Sequence, residues 1–153
     1  MNITKKCEYA IKAMIELAIN SDKGIDTTLI YDIAEHGDIP PRYLEHIMLS
    51  LKNSGILQSK RGAGGGYSLN KSAADISLGE IIKIVDGPIF DQSQSRQIKK
   101  LNESNAVSFC LNSIIRDVGD SFVNVLNSIS LKDMAKKATD HMEQERNILN
   151  YAI

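Results

Sequence analysis

The stretch Arg61-Gly62-Ala63-Gly64-Gly65-Gly66-Tyr67 constrains this chain most, because of what flanks it. Before it runs an apolar helical pattern from Tyr43 to Gly55, and after it a short alternating run, Tyr67-Ser68-Leu69. A helix, a basic strand, a glycine-rich turn and a returning strand are the parts of a winged helix-turn-helix. In such a fold the helix enters a DNA groove and the glycine turn reaches the phosphates beside it. The expected fold is therefore mainly α with a small β-hairpin wing, followed by a long C-terminal helix.

Bulk composition neither requires nor forbids this reading. A chain of 153 residues can bury roughly 70% of its unfolded surface, so it needs no metal or disulfide to hold a core. Its net charge is -1, so any nucleic-acid signal must lie in how the charge is distributed. Between Ile39 and Lys71 the basic residues are Arg42, Lys52, Lys60, Arg61 and Lys71, and the only acid is Glu45, a local charge of +4. That clustering is the footprint of a DNA-contacting face, although a solvated loop face would look the same. Cys7 and Cys110 lie too far apart in sequence to suggest a secreted disulfide framework. With no leader-like apolar run and no membrane-length one, the expectation is a cytoplasmic protein with no membrane partner.

Ile3 to Ile19 reads as an amphipathic helix, with Tyr9, Ala10, Ala13, Met14, Leu17 and Ala18 at three- and four-residue spacing and Gly24 beyond its end. Thr27 or Thr28 can cap a second helix carrying Leu29, Ile30, Ile33 and Ala34. The third helix opens at Ile39-Pro40-Pro41, where proline is tolerated, and runs to about Asn53. Ile56 to Lys60 and Tyr67 to Asn70 form the hairpin. Ser77 with Glu80 reads as a capping box for a helix from Leu78 to Val85. The polar segment from Asp91 to Asn105 is a linker or functional loop, long enough to need a reason.

Beyond it Val107, Leu111, Ile114, Ile115, Val118, Phe122, Val125, Leu126 and Ile129 form a long apolar stripe. Intrachain packing would cover it, but a helix crossing to a second subunit fits better, because twofold dimers match palindromic operators. Ser130 and Asp133 can cap a last helix that should fray after Lys136. The expected organisation is a DNA-binding domain over 1–87, a loop over 88–105 that could hold a sensor, and a dimerisation helix with its tail over 106–153.

Taken together, Asn2-Ile3-Thr4-Lys5-Lys6 with Tyr9-Ala10, Ile39-Pro40-Pro41-Arg42-Tyr43-Leu44-Glu45, Leu51 to Leu57, Lys60 to Tyr67 and Ile76 to Ile81 closely resemble the Rrf2 family of bacterial winged-helix regulators. The resemblance covers residues 1–87 by motif and 107–135 by pattern. It implies a homodimer with crossed long helices that binds an operator and regulates transcription, often with an iron–sulfur cluster as sensor.

For DNA contact, the recognition helix (about 41–54) should present its first turns to base edges in the major groove. Arg42 and His46 share a face one turn apart, and Arg42 suits bidentate pairing with guanine. Tyr43 can reach a phosphate or join the core. Glu45 is costly near phosphates unless it accepts from cytosine or orients Arg42; the resemblance favours such a role. Lys52 adds charge. In the wing, 58–68, Arg61 suits the minor groove, while Lys60 and the backbone at Gly62 and Gly64 suit phosphates, although a tight hairpin alone would also explain the glycines.

Cluster-bearing relatives carry three closely spaced cysteines before the long helix. Here Gly87 to Phe109 contains none, and only Cys110 stands near the expected end. The usual cluster site is thus not expected, and no cofactor is called for. Some relatives of the family take a ligand from the first helix of the partner subunit, near Glu8 here, and an atypical ligand set of that kind would draw on Cys7, Glu8 and Cys110. The two thiols could instead pair across the dimer, or both be buried apolar side chains. A small-molecule effector or an enzyme partner is the remaining route for a signal.

An enzyme is the weaker rival. Gly62 to Gly66 is followed by a strand, not by the Lys-Ser or Lys-Thr and helix that cradle nucleotide phosphate. The stronger rival is a regulatory interaction protein that binds a metabolic enzyme, with DNA binding secondary. The acidic first two helices and the polar 91–105 loop would suit it.

Overall fold

A computed structural model describes residues 3–89 and 105–152. Its helices are α1 (Lys5–Asp22), α2 (Ile30–Gly37), α3 (Pro41–Asn53), α4 (Leu78–Asp86), α5 (Ala106–Ser128) and α6 (Leu131–Tyr151). Between α3 and α4 lie the strands β1 (Leu57–Lys60) and β2 (Gly66–Leu69) and a short 3-10 turn, Ala73–Asp75. The architecture is the winged helix-turn-helix expected from the sequence, followed by two long helices. The segment expected to be a loop, 91–105, lies outside the described residues except for Asn105, whose side chain caps α5 by accepting from the Val107 N–H at 2.9 Å.

Helix α1 is the hub, packed against α2, α3, α4, β2 and α6. Cys7, Ala10, Ala13 and Met14 are fully buried along one face, and Leu17 and Ala18 nearly so. The alanines bring neighbouring backbones close, and the sulfur-bearing side chains fill what remains. Thr4 starts the helix: its Oγ1 accepts from the Cys7 N–H at 3.0 Å and donates to the Asp86 carboxylate at the end of α4 at 2.7 Å. One hydroxyl thereby joins the two ends of the winged domain.

The threonines expected to cap α2 do something else. The residue at the cap is Leu29, which offers no side-chain bond. Thr28 is extended and pairs with the wing, its N–H donating to the Tyr67 carbonyl at 2.9 Å and the Tyr67 N–H returning to its own carbonyl at 2.8 Å. A backbone pairing satisfies two groups at once, against one for a cap, so it wins. Helix α2 ends with Asp38 in the left-handed region at φ 50°, and the Ile39 N–H closes the turn on the Ala34 carbonyl at 2.9 Å. Pro41 then opens α3, as proline can in a first turn.

Strands β1 and β2 pair antiparallel from Leu57↔Leu69 to Lys60↔Gly66. With Thr28 alongside, the hairpin is pinned from a third side. Gly66 makes this fit: its φ is +137°, and a Cβ there would run into the Thr28 carbonyl. Asn70 seals the base by donating from Nδ2 to the Gly55 carbonyl at 2.9 Å.

The capping box expected at α4 is half made. Ser77 Oγ accepts from the Glu80 N–H at 3.1 Å, but the Glu80 carboxylate has turned to Lys71 Nζ at 2.7 Å, a charged partner from outside the helix. The complete box is at α6, where the Ser130 and Asp133 side chains cap reciprocally. The corner between α5 and α6 is fastened to the winged domain by two backbone bonds, Leu131 N–H to Ile76 carbonyl at 2.7 Å and Leu78 N–H to Ile129 carbonyl at 2.8 Å. Leu126, Leu131 and Ala135 thereby join the core laid down by α1 and α4. Helix α6 does not fray after Lys136. It continues to Tyr151, helped by side-chain contacts one turn apart, the Lys136–Asp140 ion pair at 3.2 Å and His141 Nε2 beside Glu145 at 3.4 Å. From Asp140 onward its described residues are exposed.

Candidate nucleic-acid interface

The inward face of α3 is fixed by Leu44, Ile47, Met48 and Leu51, of which none is exposed to solvent. Their burial leaves Arg42, Tyr43, Glu45, His46 and Lys52 on the surface. Arg42 and His46 lie one turn apart on that outer side, as their spacing required. Tyr43 points to the flank, where its ring meets Tyr9 of α1 edge to face, centroids 5.7 Å apart. The choice between surface and core for Tyr43 resolves to an exposed ring resting on an aromatic neighbour. Glu45 is exposed.

In the wing, Lys60 ends β1 and Arg61 begins the turn, both exposed. Gly62 and Gly64 have φ of +87° and +69° with open space where a Cβ would stand, so backbone conformation rather than crowding requires glycine there. The turn is held from below by Thr27, whose hydroxyl donates to the Gly64 carbonyl at 2.8 Å. Among the described residues, Arg42, Lys52, Lys60 and Arg61 form no ion pair, and the same holds for Lys6, Lys23, Lys83, Arg116, Lys132, Lys137 and Arg146. The cations of α3 and the wing thus carry no ion-pair partner, on elements tied to the core by the buried face of α3 and by Thr27 and Thr28.

Two features of this surface were missed in the sequence. Thr27 and Thr28, read as helix caps, position the wing. Lys5, Tyr9 and Lys12 line the flank of α1 beside Tyr43, a signal present in their three- and four-residue spacing but hidden by the acids farther along the helix.

On α5, Val107, Leu111, Ile114, Ile115, Val118 and Val125 are exposed, Val107 by 75% and Val118 by 60%. Phe122, expected among them, turns inward and packs on the core with Leu126.

Within one protomer the candidate sensor residues stand in different surroundings. Cys7 is fully buried, and burial together with the Asp86 carboxylate pushes its thiol up to about 11, the reverse of what a thiolate ligand needs. Cys110 is exposed on the protomer's α5, so within the protomer only Cys7 is a buried apolar thiol. Glu8 lies between Lys5 at 2.8 Å and Lys12 at 3.2 Å, which hold its carboxyl below the usual range. Among the described residues no three His, Cys, Asp or Glu side chains gather in a metal-binding group. With two cysteines in the whole chain, a three-thiolate cluster does not fit this protomer.

Comparison with known proteins agrees with the fold. The model of the Rrf2 family, described as iron-dependent transcriptional regulators, matches residues 3–137. An rrf2-like HTH-type transcriptional regulator of Rhodobacter capsulatus is 34% identical over 138 residues, 86% of this chain and 91% of that protein. The HTH-type transcriptional regulator IscR of Escherichia coli is 33% identical over 135 residues, 88% of this chain and 80% of its own. Among solved structures, CymR, the global cysteine regulator of B. subtilis, superposes with a TM-score of 0.73 at 29% identity, covering 90% of this chain and 98% of that one. T. potens IscR gives 0.71 at 30% identity over 90% and 88%. No described helix is long and apolar enough to cross a membrane. The chain belongs to the Rrf2 family of transcriptional regulators.

Proposed function

We propose that this protein is a sequence-specific, cytoplasmic, non-enzymatic transcription factor that grips a palindromic operator as a homodimer. In this reading residues 1–87 form the DNA-binding domain and 106–153 the dimerisation region. Helix α3 lies in the major groove with Arg42, Glu45 and His46 at base edges and Lys52 near the backbone. The wing carries Arg61 to the minor groove and offers Lys60 and the N–H groups near Gly62 and Gly64 to phosphates. The observation that carries the reading is the set of exposed cations without ion pairs on α3 and on a wing pinned by Thr27 and Thr28.

The apolar surface of α5 supports the second copy. Val107, Leu111, Ile114, Val118 and Val125 follow a spacing of four, three, four and seven residues, the seam of a two-helix contact. On a neighbouring stripe Gly119 is buried, and Phe122 and Leu126 pack into the protomer's own core. The signal would then come from a small molecule or a partner protein rather than a three-thiolate cluster.

The test is a titration of a palindromic operator duplex at several salt concentrations with wild type and Arg61→Ala. Wild type should lose affinity steeply as salt rises, and Arg61→Ala should bind far more weakly while unfolding at the same temperature. Equal affinity for the two proteins would overturn the wing assignment. A protein that protects no operator would instead be a partner-binding module.

A further inference from the structure

The first half of α1 carries a charge cluster that the recognition helix and the wing do not account for. Lys5, Glu8, Tyr9 and Lys12 lie on one outer flank, and Lys5 Nζ and Lys12 Nζ stand 5.8 Å and 5.9 Å from the centre of the Tyr9 ring. That ring is the one against Tyr43 of α3. The two ammonium groups thereby stand beside α3, on the side where Tyr43 meets Tyr9. Lys6, between them in sequence, is directed elsewhere, its Nζ 3.5 Å from the Val85 carbonyl at the C-terminal end of α4. The flank is basic, two lysines against Glu8, while the other acids of the first two helices (Glu16, Asp22, Asp32 and Glu35) stand farther along the chain.

We propose that Lys5 and Lys12 form a third DNA-contacting element, taking backbone phosphates at the edge of the groove that α3 occupies, with Tyr9 as the platform that aims them. This rests on the function proposed above. Glu8 has a defined part in it. It bonds both ammonium groups, at 2.8 Å and 3.2 Å, with side chains 40% to 72% exposed. Exposed pairs of this kind are weak, so a phosphate can displace the carboxylate, and Glu8 then acts as an internal competitor that moderates affinity. Contacts to phosphate carry no sequence information, so this arm strengthens binding without choosing the site.

The experiment uses the full chain with a cognate duplex and a scrambled one, titrated over a range of salt. Lys5→Gln/Lys12→Gln should weaken both duplexes by a similar factor and lower the slope of log affinity against log salt by about 2, one for each phosphate that is no longer neutralised. Glu8→Gln should act oppositely, tightening both by about two- to fivefold, the size of the competing surface pairs. All three positions are at least partly exposed, and equal thermal midpoints would confirm that the variants fold. If the double variant keeps the wild-type slope and affinity while Arg61→Ala loses binding, this arm does not exist and the operator-binding function stands. If wild type itself binds neither duplex, both fall.

Discussion

The hydroxyl of Thr27 donates to the carbonyl of Gly64 at 2.8 Å, so the loop that precedes α2 holds the tip of a wing thirty-seven residues farther along the chain. The bond has a counterpart in Thr28, whose backbone pairs with Tyr67. Thr27→Val keeps the shape and removes the donor, leaving the wing hinged only at Thr28. Operator affinity should fall by about two- to tenfold, the worth of one neutral hydrogen bond. Thr27→Ser should restore it. A merely structural role would move the thermal midpoint of the valine variant and not discriminate serine from valine in DNA affinity.

Gly66 is the steric counterpart of that tie. With φ at +137° and the Thr28 carbonyl where a Cβ would stand, Gly66→Ala cannot keep both the hairpin and its third partner. The wing should lift from Thr28, costing about 1–3 kcal/mol in denaturant unfolding. Operator binding should weaken further than stability alone explains, because Lys60 and Arg61 move with the wing. A variant within experimental error of wild type in both measurements would mean that the Thr28 pairing is not formed in solution.

How far the sequence led differs from element to element. The buried face of α1, the entry of α3 at Pro41, the wing and the Ser130–Asp133 cap were all legible, because each depends on neighbours within a few residues. What escaped was decided by distant partners. Thr28 looked like a cap because nothing local reveals that Tyr67 will lie beside it. Glu80 abandoned its box for Lys71, a competitor brought in by the fold. Phe122 was grouped with the outward stripe because helical periodicity adds two adjacent faces of α5 together. Only packing against α4 separates Val118 and Val125 from Phe122 and Leu126. The outer surface of α3 was readable residue by residue, whereas the Lys5–Tyr9–Lys12 flank becomes part of it only when α1 meets Tyr43.

Cys7 sets a pH dependence with a definite sign. Its thiol is raised from 9.0 to about 11, by burial first and then by Asp86. The folded protein therefore favours the neutral form, and the unfolded chain ionises first as pH rises. The stabilising difference is complete below pH 9 and fades as pH climbs towards 11, at up to about 1.4 kcal/mol per pH unit. Cys7→Ala should abolish that component, read as the difference between the two proteins in urea unfolding across this range. At neutral pH Cys7 should resist a thiol reagent until the protein unfolds. Rapid labelling of Cys7 in the folded protein would contradict its burial.

The two stripes of α5 make separable predictions. Val118 is 60% exposed on the stripe proposed to meet a second copy, while Phe122, one turn on, packs into the protomer's own core. Val118→Glu should leave the fold of each subunit intact, because the side chain already faces water there. Across a twofold seam it would bring two carboxylates into an apolar contact, so light scattering should find monomers, and affinity for a palindromic operator should drop towards that of a single half-site. Phe122→Ala should do the reverse, costing about 1–4 kcal/mol of stability from lost packing while the assembled fraction still dimerises. If Val118→Glu stays dimeric and binds its operator as wild type does, the outward stripe of α5 is not where the two subunits meet.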